Sequence, residues 1–279
     1  MFGTSAVPAL AQPAASPPAR PAFIDSFWEP FERDVIAALR MLPGMRVLAA
    51  GCGTGTHLGL FAKRLRGRGE VTGLDLREDR LETARRKFAG NKQITLKQGD
   101  LYKLPFPGGT FDVAWASHVF HGLRDIDAAA RELARVVRPG GVVVLRENRS
   151  NLLCLPLDCG TGTPGLEGRL HEAFHKSFVE NRLKLGRYPF GWTHALEQAG
   201  LASVEARSIL HEARPPLRED QKQYLAYFLR SRLQCEGVSE EDRQTVLAIT
   251  DPAHPAYALN RPDLYVTAVS TIYIGHARS

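Results

Sequence analysis

Three glycines at alternate positions, Gly51, Gly53 and Gly55, follow a short apolar run in the segment VLAAGCGTGTHLG. Glycines at this spacing let a ligand approach the backbone closely. A P-loop requires GxxxxGKS or GxxxxGKT, but Thr56 and His57 stand where its second glycine and its lysine belong. The dinucleotide fingerprint GxGxxG also needs a glycine where Thr56 stands. The loop therefore lacks the usual pyrophosphate seat and favours a nucleoside without a pyrophosphate.

Two acidic residues end the strands that are predicted after this loop. Asp75 ends the second strand, 20 residues after Gly55, where a carboxylate can accept hydrogen bonds from both ribose hydroxyls. Asp100 ends the third strand, where a carboxylate can accept a hydrogen bond from the exocyclic amine of adenine. The alternatives are a helix cap at Asp75 and a strand-end turn at Asp100. Together the loop and the two acids predict an adenosine site.

Two histidines in the segment SHVFHGL follow the fourth predicted strand, at the same edge of the sheet. His118 and His121 are candidates for a general base or for a residue that orients the substrate, because imidazole exchanges protons near neutral pH. The alternative is that both histidines only line the site or end the strand. The spacing does not indicate which of the two histidines would have that role.

The elements that must position these residues alternate along the chain. Short apolar segments and amphipathic segments follow one another, which predicts βαβ units and an α/β fold with a parallel sheet. The glycine loop follows the first strand, at the carboxyl edge where open sheets bind ligands. A first helix is predicted from a cap at Asp25 or Ser26 to about Met41. Strands are predicted at 45–50, 71–76, 94–100, 111–117, 142–147, 202–210 and 264–275, with helices at 57–65, 77–88, 125–137 and 192–200.

Two insertions, at 148–190 and 212–260, interrupt this alternation and are predicted to form a helical lid over the substrate. The first contains a helix at about 167–185, and the second contains two helices and a proline-rich loop. Their aromatic side chains either line the lid or pack in the core: Tyr188, Phe190, Trp192, Tyr224, Tyr227 and Phe228.

The segment HEAFH at 171–175 matches the HExxH signature of zinc proteases. It falls within an insertion, and the sequence offers no convincing third ligand. We interpret it as a chance match or as packing of the lid, with the alternative that its histidines face the substrate, and we predict no metal cofactor.

The composition sets outer limits. The chain has 279 residues, 44% of them hydrophobic, a net charge of +6 and an isoelectric point near 9.3, with the charge spread over predicted helices. No apolar stretch reaches the ~18 residues of a membrane helix. Four cysteines without a CxxC pair fit reduced thiols and a cytoplasmic location. Residues 1–22 are rich in alanine and proline and are predicted to be a disordered tail that precedes one domain at 23–279.

From VLAAGCGTG through GLDL, QGD and FDVAWASHVFHGLRD to RPGGVVVL, about residues 45–147, the sequence resembles the class I S-adenosylmethionine-dependent methyltransferases. It is most similar to the small-molecule branch that includes quinone-biosynthesis enzymes. The resemblance implies a Rossmann-like fold, with a mostly parallel seven-stranded sheet and helices on both faces. It implies S-adenosylmethionine as cofactor and a cytoplasmic transferase.

The resemblance also assigns the predicted cofactor-binding residues. The glycines would line the methionine end, Asp75 would bind the ribose and Asp100 the adenine. The implied cofactor-binding set is Gly51, Cys52, Gly53, Thr54, Gly55, Asp75, Leu76, Asp100, Leu101, Ser117 and His118. The sequence departs from the family at Ala49, where the family usually has an acid that helps to hold the methionine ammonium group.

Three functions remain open. The first is methyl transfer to oxygen, nitrogen or carbon of a small molecule. The second is an RNA methyltransferase, which the positive net charge favours. A nucleic-acid partner is disfavoured, because we find no NPPY-type motif and no appended RNA-binding module in this sequence. The third is a non-catalytic cofactor-binding scaffold, which only Ala49 supports. A nicotinamide oxidoreductase is disfavoured by Thr56.

Overall fold

The computed structural model describes residues 22–147, 152–184 and 191–278. The predicted tail, Tyr188 and Phe190 therefore lie outside the described residues, apart from Ala22. Within the described ranges no helix is both long enough and apolar enough to cross a bilayer.

A seven-stranded sheet runs through the molecule in the order β3-β2-β1-β4-β5-β7-β6. The first five strands are parallel to one another, and β7 is antiparallel to both β5 and β6. The strands are β1 Arg46–Ala50, β2 Glu70–Asp75, β3 Ile94–Gln98, β4 Phe111–Ser117, β5 Val137–Arg146, β6 Ala202–Ala213 and β7 Val266–His276. This confirms the predicted mostly parallel seven-stranded sheet, and the chain reverses its direction of winding between β1 and β4, where ligands bind in such sheets.

Eight α-helices are seen in the described ranges, and the sheet carries helices on both faces. Their bounds are α1 Ala22–Ala37, α2 Leu58–Arg64, α3 Glu78–Lys87, α4 Ile126–Val136, α5 Leu166–Lys184, α6 Trp192–Gln198, α7 Glu219–Ser231 and α8 Glu240–Ile249. The predicted cap of the first helix is wrong, because α1 already begins at Ala22. Ser26 lies inside it and donates its hydroxyl hydrogen to Asp220, 2.5 Å away, at the start of α7. The strand predicted to begin at residue 142 begins at Val137 instead, because Val137 pairs with Phe111 before a bulge.

The two insertions and α1 share an apolar core of their own, separate from the two cores that cover the faces of the sheet. Phe27 of α1 stacks on Tyr224 of α7 with ring centroids 4.0 Å apart. Tyr224 and Phe228 are 7% and 8% exposed, so they pack in this core rather than line a lid, whereas Tyr227 is 48% exposed. Helix α1 thereby joins the insertions to the sheet, since the same helix also packs on β1 and α2.

Candidate functional site

The glycine loop that follows β1 has backbone conformations that favour glycine at all three predicted positions. Gly51, Gly53 and Gly55 have φ angles of +70°, +54° and +85°. A Cβ atom at Gly51 would lie 2.4 Å from Val119, and one at Gly55 would lie 2.6 Å from Phe88. A Cβ atom at Gly53 would meet nothing within 4 Å. Two of the glycines thus serve close packing, and Gly53 leaves the open approach that a ligand needs.

Asp75, at the end of β2, connects the strand to this loop. It is only 6% exposed, its Oδ2 accepts from the backbone N–H of Gly53 at 2.8 Å, and its Oδ1 accepts from that of Arg77 at 3.0 Å. Each carboxylate oxygen keeps a second lone pair for a ligand hydroxyl. The side chain of Leu76, the next residue, is 57% exposed at the same edge. The structure therefore places Asp75 where it fixes the loop and still has acceptor capacity.

Asp100 follows β3, the strand paired with β2, and lies near Asp75 because Gly99 N–H donates to the Asp75 carbonyl at 3.0 Å. Asp100 is exposed, and its Oδ1 accepts from the N–H of Tyr102 at 2.9 Å, as in a strand-end turn. The side chain of Leu101 is 6% exposed and belongs to the core. Leu101 can therefore contribute to a site chiefly through its backbone.

A small cleft of about 10 Å³ lies between the glycine loop and the end of β4. Its lining consists of Ala49, Ala50, Gly51, Cys52, His57, Leu58, Trp115 and Ser117. Burial and the nearby Asp75 carboxylate raise the pKa of Cys52 to about 12, so its thiol stays neutral. The indole N–H of Trp115 is buried and has no partner among the described residues. A buried donor beside a cleft favours a ligand that can accept its hydrogen bond.

His118 follows β4 with a left-handed backbone, φ +54°. The residue is exposed, but its Nε2 lies 3.0 Å from Nη1 of Arg146 and accepts from that guanidinium in the neutral ring. Desolvation of the ring and the charge of Arg146 hold the pKa of His118 well below its usual range. Its neutral ring therefore has an Nε2 lone pair that is already engaged, which disfavours His118 as the base.

His121 lies three residues further on, in a 3₁₀ turn at Phe120–Gly122, and is held by Glu147. Its Nδ1 is 2.8 Å from Oε2 of Glu147, while Oε1 of the same carboxylate accepts from the N–H groups of Val119 and Phe120. The Glu147 side chain is 3% exposed and that of His121 is 41% exposed. A buried carboxylate that binds Nδ1–H leaves Nε2 as the free acceptor, which is the arrangement of an oriented general base.

Three buried charged residues near the site, Arg146, Glu32 and Glu147, were missed by sequence reasoning. Arg146, at the end of β5, is 1% exposed, and its Nη1 lies 2.7 Å from Oε1 of Glu32 on α1. Its Nη2 donates to the hydroxyl of Ser270 on β7 at 3.0 Å, and Oε2 of Glu32 is 2.9 Å from Nε2 of His57. A charged residue at the end of an otherwise apolar strand was the signal for Arg146, and Glu147 beside it lay at the same carboxyl edge. Nothing local in the sequence marks Glu32.

Known proteins resemble this chain in sequence. Residues 48–145 match the family model described as a methyltransferase domain. A demethylmenaquinone methyltransferase of Symbiobacterium thermophilum is 34% identical over 123 residues, which are 43% of this chain and 49% of that protein. Residues 48–145 thus form a methyltransferase domain. This finding supports the predicted family, although the chain spans only about a third to a half of the length of the curated relatives it matches.

Solved structures share the fold of this chain. The YcgJ protein of Bacillus subtilis has a TM-score of 0.52 at 18% identity, over 89% of this chain and 99% of that one. Phosphoethanolamine N-methyltransferase 2 of Haemonchus contortus, solved with phosphomonomethylethanolamine and S-adenosylhomocysteine, has a TM-score of 0.53 at 16% identity, over 90% of this chain and 53% of that one. At these identities the two structures establish the shared Rossmann-like fold.

The described residues also contain a group of potential metal ligands. One ligand atom each from His118, His121 and Glu147 lies within 4.8 Å of the others, the one such cluster in the described ranges. However, both Glu147 oxygens already accept N–H bonds, and Nε2 of His118 faces the Arg146 cation. A metal ion would have to displace these bonds and stand beside a positive charge.

We therefore expect divalent cations and chelators to leave the melting temperature of the protein unchanged. Thermal unfolding followed by intrinsic fluorescence, with EDTA and with added Mg²⁺ or Zn²⁺, is the measurement. A rise in melting temperature with one cation that His121→Asn abolishes would show instead that the cluster binds metal.

The HEAFH segment lies on α5, where the ring centroids of His171 and His175 are 6.5 Å apart. No third ligand joins them among the described residues. Between them, Phe174 stacks beneath the guanidinium of Arg232, 3.6 Å from its ring centroid. The segment thus packs α5 against the second insertion.

Proposed function

We propose that this chain transfers a methyl group from S-adenosylmethionine to oxygen, nitrogen or carbon of a small-molecule acceptor. The observation that carries the proposal is an oriented histidine, His121, within the matched methyltransferase region. The His121–Glu147 pair lies at the same sheet edge as the glycine loop and Asp75. A scaffold protein has no need of an exposed imidazole fixed by a buried carboxylate.

The residues around the cleft fit the cofactor. Gly53 offers unhindered backbone, Asp75 has free lone pairs for ribose hydroxyls, and the buried Trp115 N–H lacks an acceptor. Asp100, with Leu76 and Leu101, would bind the adenine end. When bound, S-adenosylmethionine supplies a methyl group that is already activated by a sulfonium. The protein therefore contributes mainly by positioning, which accounts for roughly 7–11 kcal/mol in favourable cases.

His121 would act as the general base. Its Nε2 would take the proton from the acceptor hydroxyl, amine or acidic C–H that receives the methyl group, while the methyl carbon–sulfur bond breaks and S-adenosylhomocysteine leaves. Glu147 keeps the ring in the tautomer that has a free Nε2 and stabilises the imidazolium that results. Base catalysis of this kind accelerates reactions by about 10²–10⁴-fold. Ser117 and His118 would border the site, with His118 orienting the substrate.

The acceptor class follows from the insertions and from the relatives. We propose that the segments 148–190 and 212–260 close over the acceptor as one lid, because they share a core with α1. Relatives named demethylmenaquinone methyltransferases make acceptors of that type the first to test. The experiment is a panel of demethylmenaquinone, hydroquinones, phenols and amines, with methylated product and S-adenosylhomocysteine detected by mass spectrometry. Failure of the protein to bind S-adenosylhomocysteine would overturn the proposal.

Asp75→Ala is expected to weaken S-adenosylhomocysteine binding by about 10- to 100-fold, because hydrogen bonds to a charged group contribute about 1.5–3 kcal/mol. The same change frees the Gly53 N–H and loosens the loop. Isothermal titration calorimetry is the measurement. Asp79→Ala is the matched control, since Asp79 lies four residues away and its exposed carboxylate pairs with Arg77. Equal affinities of the two variants would contradict the role of Asp75.

A further inference from the structure

Position 49 is apolar where the family usually has an acid. Ala49 is 2% exposed and lines the cleft, so its methyl group occupies the place of that carboxylate. An ammonium group has three N–H donors and no acceptor, and it needs an acceptor where it binds. Because Ala49 offers no side-chain acceptor, a different nearby group must accept the ammonium hydrogen bond.

A different carboxylate reaches the cleft from α1. Glu32 is 4% exposed, and its Oε2 lies 2.9 Å from Nε2 of His57, whose ring lines the cleft. Its other oxygen, Oε1, lies 2.7 Å from Nη1 of Arg146. Burial alone would raise the pKa of Glu32, but the hydrogen bond from His57 and the positive charge of Arg146 hold it below its usual value. Glu32 is therefore an ionised acceptor just behind the cleft wall.

The ionised carboxylate determines which nitrogen of His57 carries the hydrogen. Because Glu32 can only accept, the neutral ring donates Nε2–H to it, which leaves a lone pair on Nδ1. Among the residues that the structure describes, none bonds to His57 Nδ1. The His57 side chain is 15% exposed, so the ring is held in place yet keeps contact with the cleft.

We propose that His57, polarised by Glu32, replaces the missing acid at position 49 and binds the ammonium group of the cofactor's amino-acid end. His57 touches the ligand, and Glu32 is a positioning residue that acts through it. This inference rests on the proposed function. Arg146 already balances the charge of Glu32, so the contribution is that of one strong hydrogen bond rather than that of a free carboxylate.

The test compares two ligands that differ in the amino-acid end. S-adenosylhomocysteine carries the ammonium group, and 5′-methylthioadenosine lacks it. His57→Phe is expected to weaken binding of the first by about tenfold and to leave binding of the second within about twofold, both measured by calorimetry. Glu32→Gln is expected to show the same selectivity, with weaker binding of S-adenosylhomocysteine and nearly unchanged binding of 5′-methylthioadenosine. His194→Phe, on the exposed side of α6, is the matched control.

A rescue variant separates a binding role from a structural one. Ala49→Asp combined with His57→Phe returns an acid to the cleft wall and is expected to recover affinity for S-adenosylhomocysteine alone. If His57→Phe left both affinities unchanged, or lowered them equally, the inference would be wrong. If the unmodified protein bound neither ligand, the proposed function itself would fail. His57→Phe keeps the test decisive even if Glu32→Gln does not fold.

Discussion

His121→Asn is expected to lower kcat by about 10²–10⁴-fold while S-adenosylhomocysteine still binds normally, because the change removes the proposed base and leaves the cofactor cleft intact. The cleft lining does not include His121, which lies beyond Ser117 at the end of β4. The measurements are single-turnover methyl transfer to the best acceptor of the panel and calorimetry with S-adenosylhomocysteine.

Glu147→Gln tests the His121–Glu147 pair by changing the carboxylate instead of the histidine. A glutamine amide nitrogen near Nδ1 would favour the other tautomer, so we expect a loss in kcat of about 10- to 100-fold, in the range seen for carboxylates that orient metal-binding histidines. His194→Asn is the control for a histidine exchange, since the His194 side chain is 66% exposed on α6. If His121→Asn retained the kcat of the unmodified protein, the methyl transfer would not depend on this base.

Arg146→Met is expected to lower the free energy of unfolding by about 3–5 kcal/mol, because it leaves the buried Glu32 carboxylate without its cationic partner. The guanidinium joins α1, β4, β5 and β7 through Glu32, Ser117, His118 and Ser270. Urea denaturation followed by tryptophan fluorescence is the measurement. The effect concerns stability, so it is measurable without any acceptor.

Arg33→Met is the matched control on the same helix. Arg33 pairs with Glu29 at 2.6 Å, but its side chain is 61% exposed, and such surface pairs contribute about 0–1 kcal/mol. The double variant Glu32→Leu with Arg146→Met removes both charges, and we expect it to be more stable than Arg146→Met alone. A loss for Arg146→Met no larger than that for Arg33→Met would mean that the buried pair does not stabilise the fold.

The difference in the free energy of unfolding between the unmodified protein and Arg146→Met is expected to depend on pH. The pKa of Glu32 is lowered from 4.5 to about 2, so the native state binds fewer protons than the unfolded chain between these values. The stability that the ionised Glu32 carboxylate contributes is present above about pH 4.5 and disappears as the pH falls toward 2. We therefore expect the gap between the unmodified protein and Arg146→Met to shrink in acid. A gap that widened below pH 4 would contradict this assignment.

Most of the sheet could be predicted because its strands are short, apolar and bounded by turn residues. The prediction for β4, Phe111–Ser117, matches at both ends, and the other parallel strands differ by one or two residues at most except at the start of β5. Helix α1 was placed less well, since a capping pattern at Asp25 or Ser26 competed with the packing of Phe27 on Tyr224. Contacts across the chain, such as this ring pair, have no signal in the local sequence.

The sequence by itself determined the fold class, the glycine loop and the edge at which a ligand would bind, because local periodicity and turn chemistry encode them. It also reduced the candidate bases to His118 and His121. Only the tertiary structure distinguishes the surroundings of the two rings, with Arg146 against His118 and Glu147 against His121, and this favours His121 for the proposed role. It alone brought Glu32 behind His57. Such buried partners lie far apart along the chain, and which charges meet depends on how α1 packs over the sheet rather than on any local pattern.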